Sequence, residues 1–213
     1  VTRSGGGSHM YVGIALAHQP AFGDRAALDR AAAAAEQLGY ASVWVPAAAA
    51  DEAAAATERI RVGVVLDGDE VAHLEDLDAD RLVTVVSPGT DRPVPVGASL
   101  LVGTLPSAAA VPASFAGWSP PAPSLAELDA AAAVLAGTPL LLVPRVRVRV
   151  TGAVLDGRRA WCGSLPQIAG DVAAALTAGA SEVVVALHGR PALDEALGRW
   201  AKLAELLEAS FSR

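Results

Sequence analysis

The sequence predicts a single α/β domain, a (β/α)8-type TIM barrel spanning residues 11–213. Three observations predict it. Short runs such as "YVGIALA", "ASVWVP" and "SEVVVAL" are apolar throughout and rich in β-branched residues, the pattern of strands buried on both faces. Longer stretches between them place apolar residues at helical spacing. Seven or eight such units favour a closed barrel, complete or shortened, over an open doubly wound sheet, which stays as the alternative.

The elements follow in order. "YVGIALA" (11–17) is the first strand. Asp24 caps a helix whose apolar face runs through Ala27, Leu28, Ala31, Ala34, Ala35 and Leu38 and which ends at Gly39. "ASVWVP" and "IRVGVVL" are strands two and three, with a short alanine-rich helix between them. "DEVAHLEDLDA" reads as a helix before strand four, "RLVTVVS". After "VPVGASLLVG", the Pro/Ala/Ser stretch from 106 to 123 resists regular structure. Ser124 caps a helix leading to "PLLLV". "RVRVRVTGAVLDGRRAWCG" alternates and carries Asp156-Gly157, which predicts a β-hairpin over 146–161. The chain then gives the helix "SLPQIAGDVAAALTAGA", the strand "SEVVVAL" and a closing helix, "ALDEALGRWAKLAELLEAS".

Composition sets limits. A chain of 213 residues, 53% hydrophobic and 18% charged, can bury a substantial core without disulfides. A net charge of −7 argues against nucleic-acid or anionic-membrane partners. The single cysteine, Cys162, excludes an internal disulfide and a Cys-cluster metal site, so no metal is expected. No apolar run reaches membrane-spanning length and no signal-peptide pattern opens the chain, so a cytoplasmic protein is expected. "VTRSGGGSHM" (1–10) reads as an expression tag or disordered segment and is left out of the fold. The alanine and arginine bias suggests a GC-rich, actinobacterial source.

Three stretches carry a family resemblance: "DRAAAAAEQLGYASVWV", "AAAATERIRVGVVL" and "CGSLPQIAGDVAAALTAGASEVVV". In these the chain resembles the bacterial luciferase-like family of flavin- and deazaflavin-dependent oxidoreductases. In its brevity it is also similar to the shortened, non-luminescent flavoproteins of luminous bacteria. The resemblance implies a monooxygenase-like oxidoreductase, with FMN or a deazaflavin of the coenzyme F420 type held across the carboxyl ends of the strands. It also implies a homodimer, or a heterodimer with a family homologue, formed through outer helices near residues 50–58 and 70–79. Departures from the pattern are specific. Pro46, Ala47 and Ala48 follow Trp44-Val45 where the family carries acidic and histidine residues, and Val85 and Ser87 replace glycines that let a backbone approach a ligand. Those departures support an alternative: a non-catalytic family member, serving as cofactor carrier or structural partner subunit, or binding no cofactor at all.

The working groups of such barrels gather at strand ends. His18 and His188 are the candidate catalytic pair, because imidazole is suited to exchanging a proton near neutral pH. Asp67, Ser87 and Arg145 follow other strands, and Gly89 with Arg92 offers an anion nest; these five are the candidate cofactor-binding residues. Arg145, Arg147 and Arg149 share one side of a strand, either as a phosphate site or as the exposed face of the hairpin. Asp67 could instead cap a helix, His73 reads as a solvated surface group, and Cys162 as a small buried hydrophobe. Trp44 and Trp200 sit on apolar faces, whereas Trp118, in a proline-rich loop, could cover a pocket or meet a partner.

Overall fold

The computed structural model describes residues 11–16, 24–66, 78, 80–86, 98–102, 115–121 and 123–212. Its strands are β1 (Val12–Ala15), β2 (Ser42–Pro46), β3 (Arg61–Leu66), β4 (Leu82–Val86), β5 (Ala98–Val102), β6 (Gly117–Ser119), β7 (Leu141–Leu142), β8 (Arg145–Val150), β9 (Cys162–Gly163) and β10 (Val183–Leu187). Its α-helices are α1 (Arg25–Gln37), α2 (Ala50–Ala55), α3 (Leu125–Leu135), α4 (Leu165–Ala178) and α5 (Leu193–Phe211). The helix expected over "DEVAHLEDLDA" and His73 lie outside the described residues.

Every described strand pair is parallel, in the order β7-β6-β5-β4-β3-β2-β1-β10-β8-β9. The two ends of that order meet. Along 141–145 the amides of Leu141, Val143 and Arg145 donate to Ala116, Trp118 and Pro120 at 2.9, 2.9 and 3.0 Å, while the carbonyls of Leu142 and Pro144 accept from Ser181 and Val184 at 2.8 and 2.9 Å. Strands β7 and β8 are thus one path, broken only at Val143-Pro144, that joins β6 on one edge to β10 on the other. The sheet closes into a barrel with eight strand positions: β1 to β6, the β7–β8 path and β10. All eight positions are filled, so the shortened barrel is not the one observed.

The hairpin expected over 146–161 is absent. Asp156 and Gly157 do form a turn, with Gly157 at φ 57°, but the chain returns parallel: Arg149 and Val150 of β8 pair with Cys162 and Gly163 of β9. The connection circles round before re-entering the sheet, and a tight turn alone does not dictate an antiparallel partner.

Alternation divides the barrel's side chains into two sets. Outward residues such as Ile14, Val43, Val64, Val146, Val148 and Val185 pack with Leu28, Ile168, Trp200 and Leu203 of the surrounding helices. Inward residues form a separate cluster of Trp44, Val83, Val85, Leu100, Val143 and Val184, bordered by Ala15, Val65 and Leu141. Trp118, expected in a loop, lies in β6 and is 2% exposed within the outer core. Three-residue β6 is too short for its period to show in the sequence.

Helix ends follow their sequence signals. The Asp24 carboxylate accepts from Ala26 N at 3.3 Å, and the chain leaves α1 through Gly39 at φ 79°. Ser124 and Glu127 form a capping box on α3, Ser164 and Gln167 another on α4. Among the described residues no helix is long and apolar enough to cross a membrane.

The motif residues of the second strand–helix unit have structural work at the amino-terminal end of the barrel. The Glu36 carboxylate accepts from the amides of Glu58, Arg59 and Ile60 at 3.1, 2.5 and 2.9 Å, fixing the turn into β3. Thr57 Oγ1 donates to Ala53 O at 2.8 Å and accepts from Arg81 Nη2 at 2.7 Å, tying that turn to the start of β4. Burial pushes the Glu36 carboxyl up, but the three amides and the Arg59 guanidinium outweigh burial and hold it below the ordinary glutamate value.

Candidate functional site

The two ends of the barrel differ in chemistry. At the amino-terminal end a polar network is sealed inside. Trp44 Nε1 donates to Ser42 Oγ at 2.7 Å; Ser42 Oγ donates to Glu182 Oε1; Arg61 pairs with Glu182 Oε2. The Glu182 side chain is 4% exposed and that of Arg61 37%, so the cation seals the network from solvent. Gly13 and Gly63, on the strands flanking β2, make room for it. A Cβ at Gly13 would come 2.6 Å from Glu182 Oε1, and one at Gly63 would collide with the Trp44 ring. Because this network occupies the end of the barrel opposite the ligand loops of such folds, its role is stability. Nothing in the sequence alone joined these residues; a glutamate directly before an apolar strand is the one visible signal.

A second feature of that end is a groove of about 590 Å³ between the ends of α3 and α4, lined by Ala132, Leu135, Leu140, Leu142 and Gly179 among others. It carries few polar side chains, and Ala132, Leu140 and Leu142 are more than half covered.

The carboxyl end is where the candidate groups fall. Trp44 fills the middle of the barrel, and above it Val65, Val85 and Leu100 lie in one register across β3, β4 and β5. Val85 is 0% exposed and completes this apolar layer. Pro46 ends β2 and leads into the helical turn Ala47–Ala49, which brings no polar side chain to the rim. Ser119, at the end of β6 and 0% exposed, has a hydroxyl with no hydrogen-bond partner among the described residues.

Opposite stands a cationic wall. Arg145 pairs in register with inward-facing Val184, and Arg147 with Ala186, so these arginines face the barrel axis and its mouth. Arg149 follows on the same side, beside His188, whose amide donates to Val148 O at 2.8 Å. Arg145 is half-buried; Arg147, Arg149, His188 and Arg190 are exposed. His188 thus stands level with Arg149, while Arg145, in register with Val184, lies four residues lower on the same wall. His18, Asp67, Ser87, Gly89 and Arg92 lie outside the described residues.

Next to this wall the backbone is held in an unusual shape. Trp161, just before β9, has φ 67°, and its amide donates to Asp171 Oδ2 at 2.8 Å. Asp171 also accepts from Arg158 Nη1 and Nη2 at 2.6 and 2.7 Å, a forked pair that raises the guanidinium's pKa further above its ordinary value. Trp161 Nε1 donates to Pro123 O at 2.6 Å. This clamp fixes Cys162, half-buried, beside Arg149. Among the described residues no group of three or more His, Cys, Asp or Glu could hold a metal ion.

No protein-family model and no curated protein matches the chain. Solved structures do. A coenzyme F420 dependent tetrahydromethanopterin reductase from Methanopyrus kandleri superposes with TM-score 0.68 at 10% identity, over 96% of this chain and 100% of that one. An F420-dependent secondary alcohol dehydrogenase, in complex with an F420-acetone adduct, gives 0.67 at 10% identity over 93% and 99%. The monooxygenase RslO1 from Streptomyces bottropensis gives 0.67 at 12% identity over 95% and 100%. At these identities the likeness is one of fold: the chain has the (β/α) barrel that these enzymes share.

Proposed function

We propose that this chain is an oxidoreductase of the luciferase-like kind whose mouth holds a deazaflavin of the F420 type, with FMN as the less favoured alternative. One observation carries the reading: the mouth is amphipathic, with an apolar layer of Val65, Val85 and Leu100 on one side and the half-buried Arg145 on the other. Such a surface suits a flat ring joined to an anionic tail. The orphan Ser119 hydroxyl supplies a hydrogen-bonding group below the ring's resting place. A deazaflavin, when bound, supplies hydride transfer. The chain's own contribution is the layer that supports the ring, the cation that orients the tail, and a ring nitrogen on His188 able to hold or move a proton at the rim. His18, Asp67, Ser87, Gly89 and Arg92 belong to the proposed site as residues at or just beyond strand ends.

The second reading, a cofactor carrier or partner subunit without turnover, draws on the β2 end, where Pro46 and Ala47–Ala49 bring no catalytic side chain to the mouth. We also propose a dimer, formed with a second copy or a homologue through the alanine-rich helices, in a reducing cytoplasm compatible with free Cys162.

Titration of purified protein with F420 and with FMN, followed by cofactor fluorescence, tests the reading. Saturable binding of F420 that weakens on Arg145→Ala is expected. Failure of both cofactors to bind overturns it.

A further inference from the structure

We propose that Arg147 and Arg149, with His188 beside them, form an anion site on the barrel rim. It takes a doubly charged group, a phosphate ester or a pair of carboxylates, on a small molecule lying across the mouth. The site is separate from Arg145, which lies deeper, and it does not require the bound molecule to be a deazaflavin.

The argument begins with where charge is tolerated. In a closed barrel the inward positions of the strands are packed, and here they are glycine, alanine, serine, proline, tryptophan or branched aliphatics on every described strand except at Arg61, at the three arginines of β8 and at Cys162 of β9. Arg61 is neutralised by Glu182 at the amino-terminal end. Arg145 is half-buried in the wall. Arg147 and Arg149 are different: among the described residues neither side chain makes an ion pair or a hydrogen bond, and both are exposed. The outward alternates, Val146 and Val148, are each 1% exposed in the outer core, so packing explains the valines and leaves the arginines unexplained.

Geometry then defines the ligand. Residues two apart on a strand lie about 7 Å apart, and neighbouring strands about 4.8 Å. Two guanidinium groups at that spacing, on long side chains, can close on one pyrophosphate-sized or dicarboxylate group, each presenting a planar fork of donors. Beside Arg149, just past the end of β10, stands His188, and Arg190 follows two residues later, both exposed. The neighbours on the other side are Cys162 and the Asp171–Arg158 pair, whose carboxylate is already engaged three times. Among the described residues, no carboxylate forms an ion pair with Arg147 or Arg149. In a chain of net charge −7, two exposed arginines two residues apart on one strand face, with no ion-pair partner among the described residues, make a local positive field that an anion would complete.

The test uses the full chain and inorganic pyrophosphate at low ionic strength, with binding followed by calorimetry and by NMR of the His188 ring. Saturable binding that moves the His188 signals and weakens with salt is expected. The double variant Arg147→Gln, Arg149→Gln should lose roughly tenfold or more in affinity, the size of a lost charge-assisted contact. Arg159→Gln, which removes an exposed arginine off the ladder, should change nothing. Since both rim arginines are exposed and have no partner among the described residues, the double variant should melt no lower than the parent, which separates lost binding from lost folding. Pyrophosphate binding weaker than about 10 mM, or unchanged in the double variant, would overturn the proposal.

Two further arms identify the anion's source. If the double variant abolishes the preference for F420 over a phosphate-free deazaflavin, the rim holds the cofactor's tail. If it loses pyrophosphate but binds F420 unchanged, the rim serves a second, anionic ligand. Pyrophosphate binding without binding of either cofactor would sustain the anion site and remove the deazaflavin reading.

Discussion

The indole of Trp44 lies against the backbone of Gly63 on the next strand: a Cβ there would sit 2.6 Å from Cε3 and closer still to Cδ2 and Cε2. The ring is held by its own strand, because Nε1 is bound to Ser42 Oγ, so it cannot swing away cheaply. Gly63→Ala should therefore cost about 1–3 kcal/mol, the range of overpacked cores, measured by denaturant unfolding. The same substitution beside Trp44→Leu should cost distinctly less than the two changes summed. Strict additivity would show that the ring is not what fills the space.

Glu182 anchors both Ser42 and Arg61, and its two replacements should separate. Glu182→Ala leaves a hydroxyl without its acceptor and a cation without its partner; partial exposure of Arg61 lowers the expected loss to about 2–4 kcal/mol. Glu182→Gln keeps an acceptor for Ser42 and should lose about half of that. Equal losses would mean that charge, and not the hydrogen bond, dominates.

Glu36 should give the chain an acid-sensitive element. Its carboxyl is held below the ordinary glutamate value in the folded state, so the unfolded chain binds its proton more readily. The stabilisation is complete above the unfolded value of about 4.3 and is lost as pH falls through the lower folded value. Glu36→Gln should thus lower the melting temperature at pH 7 and flatten its fall below about pH 4.5. A variant that tracks the parent at every pH would remove Glu36 from this role.

Asp171 is expected to hold the left-handed Trp161. Asp171→Asn keeps the shape but weakens the forked contact with Arg158 and should cost about 2–3 kcal/mol. Near-ultraviolet circular dichroism should lose intensity, since Trp161 is buried and bound to Pro123. An unchanged spectrum with lowered stability would mean the clamp is dispensable for the Trp161 geometry.

For self-association two alanine-rich faces compete. On α2 only Asp51 and Ala55 are exposed, whereas α3 presents Ala126, Ala130, Ala133 and Val134 to solvent. Light scattering should give a dimer that Ala55→Glu weakens at least tenfold, with Val134→Glu as the comparison. A dimer sensitive only to Val134→Glu would move the interface to α3, and a monomer in the parent would end the proposal.

Much of the fold was legible because parallel strands buried on both faces announce themselves. The caps at Asp24 and Ser124 and the stop at Gly39 are local chemistry, so they are readable one helix at a time. The hairpin failed because Asp156-Gly157 specifies a turn and not a partner, and the partner of β9 was chosen by the free edge of β8. Trp118 was misplaced for a related reason: prolines flanking a three-residue strand hide it. The arginine alternation was visible, yet which face it served depended on whether β8 was a hairpin arm or a barrel stave. The resembling motif "TERI" was recognisable as letters, while its physical content, Glu36 gathering three amides from a turn more than twenty residues away, was not.

The β1–β10 pairing has a consequence for how the chain reaches this state. Val12 and Val183 lie side by side though most of the sequence runs between them, and β1 is flanked by β2 and β10. During synthesis β1 can satisfy only one edge until β10 leaves the ribosome. A growing chain therefore carries an open, apolar strand edge for nearly its whole length, a site where another chain can add. Ring closure is slow, being a contact between distant residues, and it makes the barrel's assembly the step most exposed to aggregation.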